Sequence, residues 1–180
     1  MSKPKKPSKA MLFASIIYRD TAVLDSASKR LMSEYGALAW KTDELSFDKT
    51  DYYATEMGAE LKRVFIFFEK LIERDEISEI KKKTNSIEKD LLKGNSRTAN
   101  IDPGLLTLEN VVLATGKNFS HRIYIKDGIF AEITLINKGG GFRALEWTFP
   151  DYASPEIIKI FNDVREKYKK STWGIYTPLP

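Results

Sequence analysis

The chain has 180 residues, 42% of them hydrophobic, a formal net charge of +4 and no cysteine. That length suits one buried core better than two independent domains, and the lack of cysteine excludes disulfides, thiolate metal sites and a cysteine nucleophile. Lys3, Lys5, Lys6 and Lys9 stand in a first decade without acids, and removing those 4 from 29 basic residues leaves 25 against 25 acidic ones.

The excess charge therefore belongs to a basic tail over residues 1–10, expected to be solvated and disordered, ahead of a neutral domain over residues 11–180. Nucleic-acid affinity is not expected beyond that tail. Residues 11–17 form a compact apolar run of strand length, while residues 10–18 are too short to cross a bilayer and lack a signal-peptidase-like site, so a cytoplasmic protein is expected. A helix follows. Asp20 or Thr21 caps it, Leu24, Ala27, Leu31 and Tyr35 recur at three- and four-residue steps, and Gly36 supplies a left-handed exit. Residues 37–47 suggest an extended segment with a polar bend at 41–44. The stretch TDYYATEMG, residues 50–58, shows no clean period and leaves loop, short helix and strand open.

Residues 64–68 are a continuous apolar, β-branched and aromatic run and predict a central strand. The next helix is predicted over 75–93, with Ile77, Ile80, Ile87 and Leu91 as its stripe, Thr84 in the gap and Gly94 at its end. Lys81, Lys82 and Lys83 are expected on its solvated side. Beyond Arg97 the pattern turns to hairpins. Residues 111–114 form a short strand, and Asp127-Gly128 joins residues 122–126 to 129–135. Gly139, Gly140 and Gly141 predict a flexible connection. Ser154, Pro155 and Glu156 open a last helix buried through Ile157, Phe161, Val164 and Tyr168, and residues 173–180 are expected to pack as an aromatic-anchored tail. The order implies an α+β fold: a single domain with a mostly antiparallel sheet and about three helices, its first half suited to a ferredoxin-like unit.

Chemistry is expected in the second half, which holds the only histidine. A two-residue turn at Asp127-Gly128 would pair 126 with 129, 125 with 130, 123 with 132 and 121 with 134. That register puts His121, Ile123 and Ile125 on one face with Phe130, Glu132 and Thr134, and puts Arg122, Tyr124 and Lys126 on the other with Ile129, Ala131 and Ile133. An imidazole within reach of a carboxylate serves a general base or a metal ligand with its outer partner; the alternative is an ordinary edge-strand histidine and a solvent-facing Glu132. Residues 100–104, NIDPG, suggest a turn that holds Asp102 rigidly near Arg97. Arg97, Lys117 and Arg122 would form an anion-binding rim. Asp151 stands near the start of the last helix as an ordinary loop acid. Trp147, Tyr124 and Phe149 are expected in the core, with ligand stacking as the alternative. Residues 115–118 do not meet the P-loop requirement, 137–140 are not followed by an aspartate that could read a guanine base, and no dinucleotide fingerprint, zinc spacing, nucleophile elbow or calcium loop is present.

TDYYATEMG, NIDPG, HRIY at 121–124, GIFAEITL at 128–135 and WTFPDY at 147–152 together resemble the bacterial domain-of-unknown-function family 4416, over nearly the whole chain after the tail. The resemblance implies no established activity. Some members carry a GTP-binding label, for which the sequence shows no P-loop. It implies a set of matching positions: Glu56, Asn100, Asp102, His121, Arg122, Glu132, Trp147 and Asp151.

The first functional expectation is a polar pocket on the second-half sheet that binds, and by extension hydrolyses, a small anionic or phosphorylated ligand. His121 would be the acid or base, Glu132 its orienter, Asp102 a second carboxylate, and Arg97, Asn100, Lys117 and Arg122 the ligand contacts. No metal is assigned, although convergence of Glu56, Asp102, Glu132 and Asp151 would suit a hard divalent cation. The second expectation is a non-catalytic protein-interaction module. Cofactor and oligomeric state are left open, and no membrane partner is expected.

Overall fold

The computed structural model of the protein describes residues 3–48 and 54–172. In chain order its elements are β1 (Ala10–Tyr18), α1 (Thr21–Tyr35), β2 (Leu38–Lys41), β3 (Leu45–Ser46), the single turn α2 (Ala54–Met57), β4 (Lys62–Ile72), α3 (Ile77–Asp90), β5 (Ala99–Leu106), β6 (Asn110–Thr115), β7 (Ile123–Lys126), β8 (Ile129–Lys138), β9 (Gly141–Ala144) and α4 (Pro155–Thr172). Residues 50–53 of TDYYATEMG and the whole of 173–180 lie outside the described residues.

The strands form one antiparallel sheet in the order β2-β4-β1-β5-β6-β8-β7, with β3 also on β4 and β9 also on β8. Taken alone, β1-α1-β2-β4-α3-β5 with spatial order β2-β4-β1-β5 is the ferredoxin-like split βαβ arrangement. The protein is α+β, as expected, and its second half extends that sheet.

Every residue of β1 is buried, which is why its sequence shows a continuous apolar run rather than alternation. Leu12, Ala14, Ile16 and Tyr18 pack with α1 and α3 through Leu24, Ala27, Leu31, Ile77, Ile80 and Ile87. Met11 and Phe13 face the other way and pack with Phe65, Phe67 and, from α4, Ile157, Phe161, Val164 and Tyr168. The Phe13 ring meets Phe161 edge-on at 5.0 Å. Helices thus cover both faces of the central strands.

Local signals act as the sequence predicts at several points. Asp20 accepts the Ala22 N–H at 2.9 Å and Gly36 leaves α1 at φ 94°. The tail ends in contacts: Tyr168 donates to the Lys9 carbonyl at 2.5 Å, Arg74 donates to the Ser8 carbonyl at 2.8 Å, and Lys6 pairs with Glu73 at 3.0 Å. No described helix is long and apolar enough to cross a membrane.

Three expectations are corrected. NIDPG is no turn but part of β5, paired residue by residue with β1, including Ala14 with Pro103. Lys81 is not solvated with its neighbours: it is 6% exposed, whereas Lys82 and Lys83 face solvent. Gly139 and Gly140, at φ 68° and 87°, make a two-residue turn between the paired Lys138 and Gly141 rather than a flexible connection.

Candidate functional site

β5 and β6 part company halfway along. Their pairing covers only Gly104, Leu105 and Leu106 against Leu113, Val112 and Val111, while β5 continues along β1 and β6 along β8. A backbone edge opened inside a sheet needs other partners, and α3 supplies them. The Ile101 N–H donates to Glu88 Oε1 at 2.6 Å, and its carbonyl accepts from Lys81 Nζ at 3.1 Å. Pro103, two residues on, presents the same side of the strand, where its missing N–H leaves nothing unpaired. Gly104 sits where the strands meet: a Cβ there would stand 2.3 Å from the Phe13 ring and 2.7 Å from the Val112 carbonyl oxygen.

The wedge between the strands, beside the loop that leads into α4, holds a cavity of about 520 Å³. Five cations line it, Arg63, Lys81, Arg97, Lys117 and Arg122, against three carboxylates, Asp102, Glu132 and Asp151, a lining charge of 5 − 3 = +2. Each carboxylate is held by a base. Lys81 crosses the wedge to Asp102 at 3.0 Å, Arg122 Nε meets Glu132 at 2.8 Å, and buried Arg63 pairs with Asp151. Arg63 also stacks on Phe47, at 4.5 Å from its guanidinium carbon to the ring centroid, and on Tyr152 at 5.2 Å.

A hydrogen-bonded relay crosses the β5 wall. Arg97 donates to Asn100 Oδ1 and to Glu88, each at 2.6 Å, and Asn100 Nδ2 donates to Asp102 at 2.6 Å. Burial raises the Asp102 carboxyl, but the charge and hydrogen bond of Lys81 and the Asn100 amide outweigh it and hold it below the ordinary aspartate range. Glu88 goes the other way, because burial there outweighs Lys81, Arg97 and the Ile101 N–H and raises its carboxyl. Burial also pushes the Tyr152 phenol well above its usual range.

The hairpin between β7 and β8 corrects the expected register. Asp127 and Gly128 do form the tight turn, at φ 53° and 77°, with Lys126 opposite Ile129. A bulge at Ile125 then pairs Tyr124 with Phe130 and Ile123 with Ala131, one residue off the expected pairing. The bulge turns Arg122 toward Glu132, so Arg122 shares a contact with that carboxylate instead of lying on the opposite face. His121 reaches it too, with Nε2 and Oε2 3.1 Å apart. His121 does not line the wedge cavity. It borders a shallow depression with Phe119, Glu146 and Trp147, its ring stacked on Trp147 at 5.4 Å and 10°. Trp147, Tyr124 and Phe149, expected in the core, are exposed; Phe149 lines the cavity.

Glu132, 2% exposed, is not a solvent-facing strand acid. Its Oε2 takes both Arg122 and His121, while Oε1 is buried with no hydrogen-bond partner, as is Arg63 Nε. Both atoms are closed off from solvent and from the cavity space; a buried acceptor and a buried donor left without partners are uncommon in protein interiors.

Of the residues expected at the site, Arg97, Asn100, Asp102, Lys117, Arg122 and Glu132 all line the cavity, and His121 stands behind Glu132. Glu56 reaches Arg97 at 3.4 Å from a neighbouring depression. Arg63, Lys81 and Tyr152 join the cavity, and Glu88 supports its wall, without having been singled out. Helical spacing carried a signal for two of them: Lys81 is four residues after Ile77 and Glu88 seven after Lys81, both on the buried stripe. Among the described residues no three carboxylate or histidine side chains gather to hold a metal ion.

The family model described as domain of unknown function (DUF4416) matches residues 8–168. No curated protein and no solved structure matches the chain.

Proposed function

This chain belongs to the DUF4416 family, and from that premise we propose that it binds a small anionic or phosphorylated ligand in the cavity between β5 and β6. Because the family is described by no activity, support comes from the cavity itself. The single observation that carries it is a cavity of about 520 Å³ whose charged lining residues sum to +2. A concave site with apolar faces and a few convergent polar groups is the usual form of a small-molecule site; Phe47, Leu113 and Phe149 supply the apolar part here. Hydrolysis of the bound group extends the same proposal. In that extension Asp102 rather than His121 would accept the proton of an attacking water, since Asp102 lines the cavity with its side chain partly exposed and His121 does not line it. A chain without cysteine suits a reducing compartment, and a bacterial cytoplasmic setting belongs to the same proposal.

A thermal-shift titration of the full chain with inorganic phosphate, nucleotides and sugar phosphates tests it. A ligand at about a hundred times its Kd stabilises a folded protein by about 2.7 kcal/mol, so the melting temperature should rise for some of these anions. Lys117→Ala, at an exposed position on the cavity wall, should weaken the response several-fold. No rise with any of the anions would overturn the proposal.

The second reading is a protein-interaction module. It is supported by β7, which ends the sheet order and exposes Ile123 and Tyr124; an extended segment of a partner could add to that edge.

A further inference from the structure

We infer that the ligand is amphiphilic: a phosphate that carries a hydrocarbon chain, with the phosphate among the cavity cations and the chain across a row of exposed aromatic rings beside it. This deepens the anion-binding proposal above and rests on it.

Two loops carry the inference. Residues 116–122 lead from β6 to β7, and residues 145–154 lead from β9 to α4. Each lines the cavity, the first through Gly116, Lys117 and Arg122 and the second through Phe149, Asp151 and Tyr152. Each also puts large rings into solvent: Phe119 is 63% exposed, Trp147 41% and Phe149 49%. The rings join the loops. His121 stacks on Trp147 at 5.4 Å, and the Phe119 ring lies 5.2 Å from that of His121. The row adjoins the cavity at both ends, because Phe119 is two residues from Lys117 and Trp147 two from Phe149.

This exposure is built into the loops. The Arg122 N–H donates to the Phe119 carbonyl at 3.1 Å, and the Arg122 guanidinium donates to the Lys117 carbonyl at 3.0 Å. In the other loop Trp147 Nε1 donates to the Ile133 carbonyl at 2.9 Å and Thr148 Oγ1 to the Thr134 carbonyl at 2.6 Å. An apolar patch held in water by such anchors marks a binding surface.

The chemistry of the row selects the partner. The indole nitrogen is spent on Ile133, His121 Nε2 is directed at Glu132, and Phe119 and Phe149 have no polar side-chain atom. The row therefore presents mainly carbon. A sugar or a heterocyclic base gains from directed hydrogen bonds that these rings do not supply, whereas a hydrocarbon chain is stabilised by covering carbon alone. Ser120 and Glu146 border the row, and the Glu146 carboxylate repels a second anionic group. The cavity, whose charged lining residues sum to +2, is left as the place for the phosphate.

Calorimetric titration of methyl phosphate, octyl phosphate and the neutral octyl glucoside into the full-length wild type, Phe119→Ser, Trp147→Ser and Lys117→Ala proteins tests the inference. Each fully buried methylene strengthens binding about fourfold. A chain lying on an open row is covered on one side only, so octyl phosphate should bind at least about tenfold more tightly than methyl phosphate. Octyl glucoside, whose head carries no charge, should bind at least about tenfold more weakly than octyl phosphate. Phe119→Ser and Trp147→Ser should each lower the octyl-to-methyl ratio several-fold. Lys117→Ala should weaken both phosphates and keep the ratio. If Trp147→Ser does not fold, as its melting curve will show, Phe119→Ser, at the most exposed of the rings, carries the test. Co-sedimentation with vesicles of phosphatidylcholine, with and without phosphatidic acid, separates the two sources of such a ligand. Pelleting only with phosphatidic acid identifies a bilayer lipid, and octyl phosphate binding without pelleting identifies a soluble amphiphile. Equal binding of methyl and octyl phosphate in the wild type, no binding of octyl phosphate, octyl glucoside bound as tightly as octyl phosphate, equal pelleting with both vesicles, or a ratio unchanged in a ring variant that folds overturns the amphiphile assignment. The thermal-shift series above decides anion binding separately, and a response there with no gain from the chain leaves that proposal standing.

Discussion

The two sides of β5 satisfy the same strand in different ways. Toward β1 it is paired through eight consecutive residues, from Ala99 opposite Tyr18 to Leu106 opposite Met11. Toward β6 the ladder stops at Gly104, and beyond it Glu88 and Lys81 on α3 take over for a missing strand. The first side is structural and needs only backbone and apolar packing. The second can face a cavity because its polar groups are satisfied by side chains, and this is where most of the buried charged residues collect. A sheet gains a site by withholding one strand from part of its neighbour.

Breaking the charge pairs on the open side should cost more than removing charges elsewhere. Asp151→Ala leaves Arg63, a buried guanidinium, without its partner; the expected loss is about 3–5 kcal/mol in urea unfolding. A loss below about 1 kcal/mol would show that the cavity wall is supported some other way.

The contrast sharpens on α3. Lys81→Met removes the partner of both Asp102 and the Ile101 carbonyl and should cost about 1–3 kcal/mol. Lys82→Met, one residue along and facing solvent, should leave the unfolding midpoint nearly unchanged. Equal midpoints for the two variants would mean that Lys81 does not replace a strand.

The smallest effect lies in acid stability. Asp102 is held below its ordinary value, so its contribution is fully present above pH 3.8 and is lost as the pH falls through the depressed folded value. Glu88 is raised from 4.5, so its contribution is present below that pH and is lost as the pH rises through the folded value. Asp102→Asn should flatten the pH dependence of stability below 3.8, and Glu88→Gln should flatten it above 4.5, each followed by denaturant midpoints across the range. Parallel curves for wild type and variants would remove the titration from the wedge.

Most of the framework was legible because it depends on short-range rules. The Asp20 cap, the Gly36 exit, the α3 and α4 stripes and the Asp127-Gly128 turn are set by residues within a few positions of one another. The site was legible as a list and not as a geometry. Asp102, Asn100, Arg97 and Glu132 were singled out, yet NIDPG suggested a turn, because proline and glycine in the middle of a buried strand are excluded unless its neighbour diverges. Lys81 was assigned to solvent with the other two lysines although it shares the stripe of Ile77 and Thr84. Arg63, at the end of an apolar run, gave no sign that it would be buried against Asp151.

The sequence by itself determined the α+β class, the buried stripes of α1, α3 and α4 with the cap and exit of α1, and the tight turn before β8, since periodicity, caps and positive-φ positions are local properties; α3 ends at Asp90, short of the Gly94 stop that its sequence suggested. Only the tertiary structure decided that β6 leaves β5 at Gly104, that a bulge at Ile125 swings Arg122 onto Glu132, and that His121 stands behind the carboxylate rather than in the cavity. Those outcomes depend on which side chains, distant in sequence, compete for the same buried space and the same unpaired backbone groups, and no local pattern records the result of that competition.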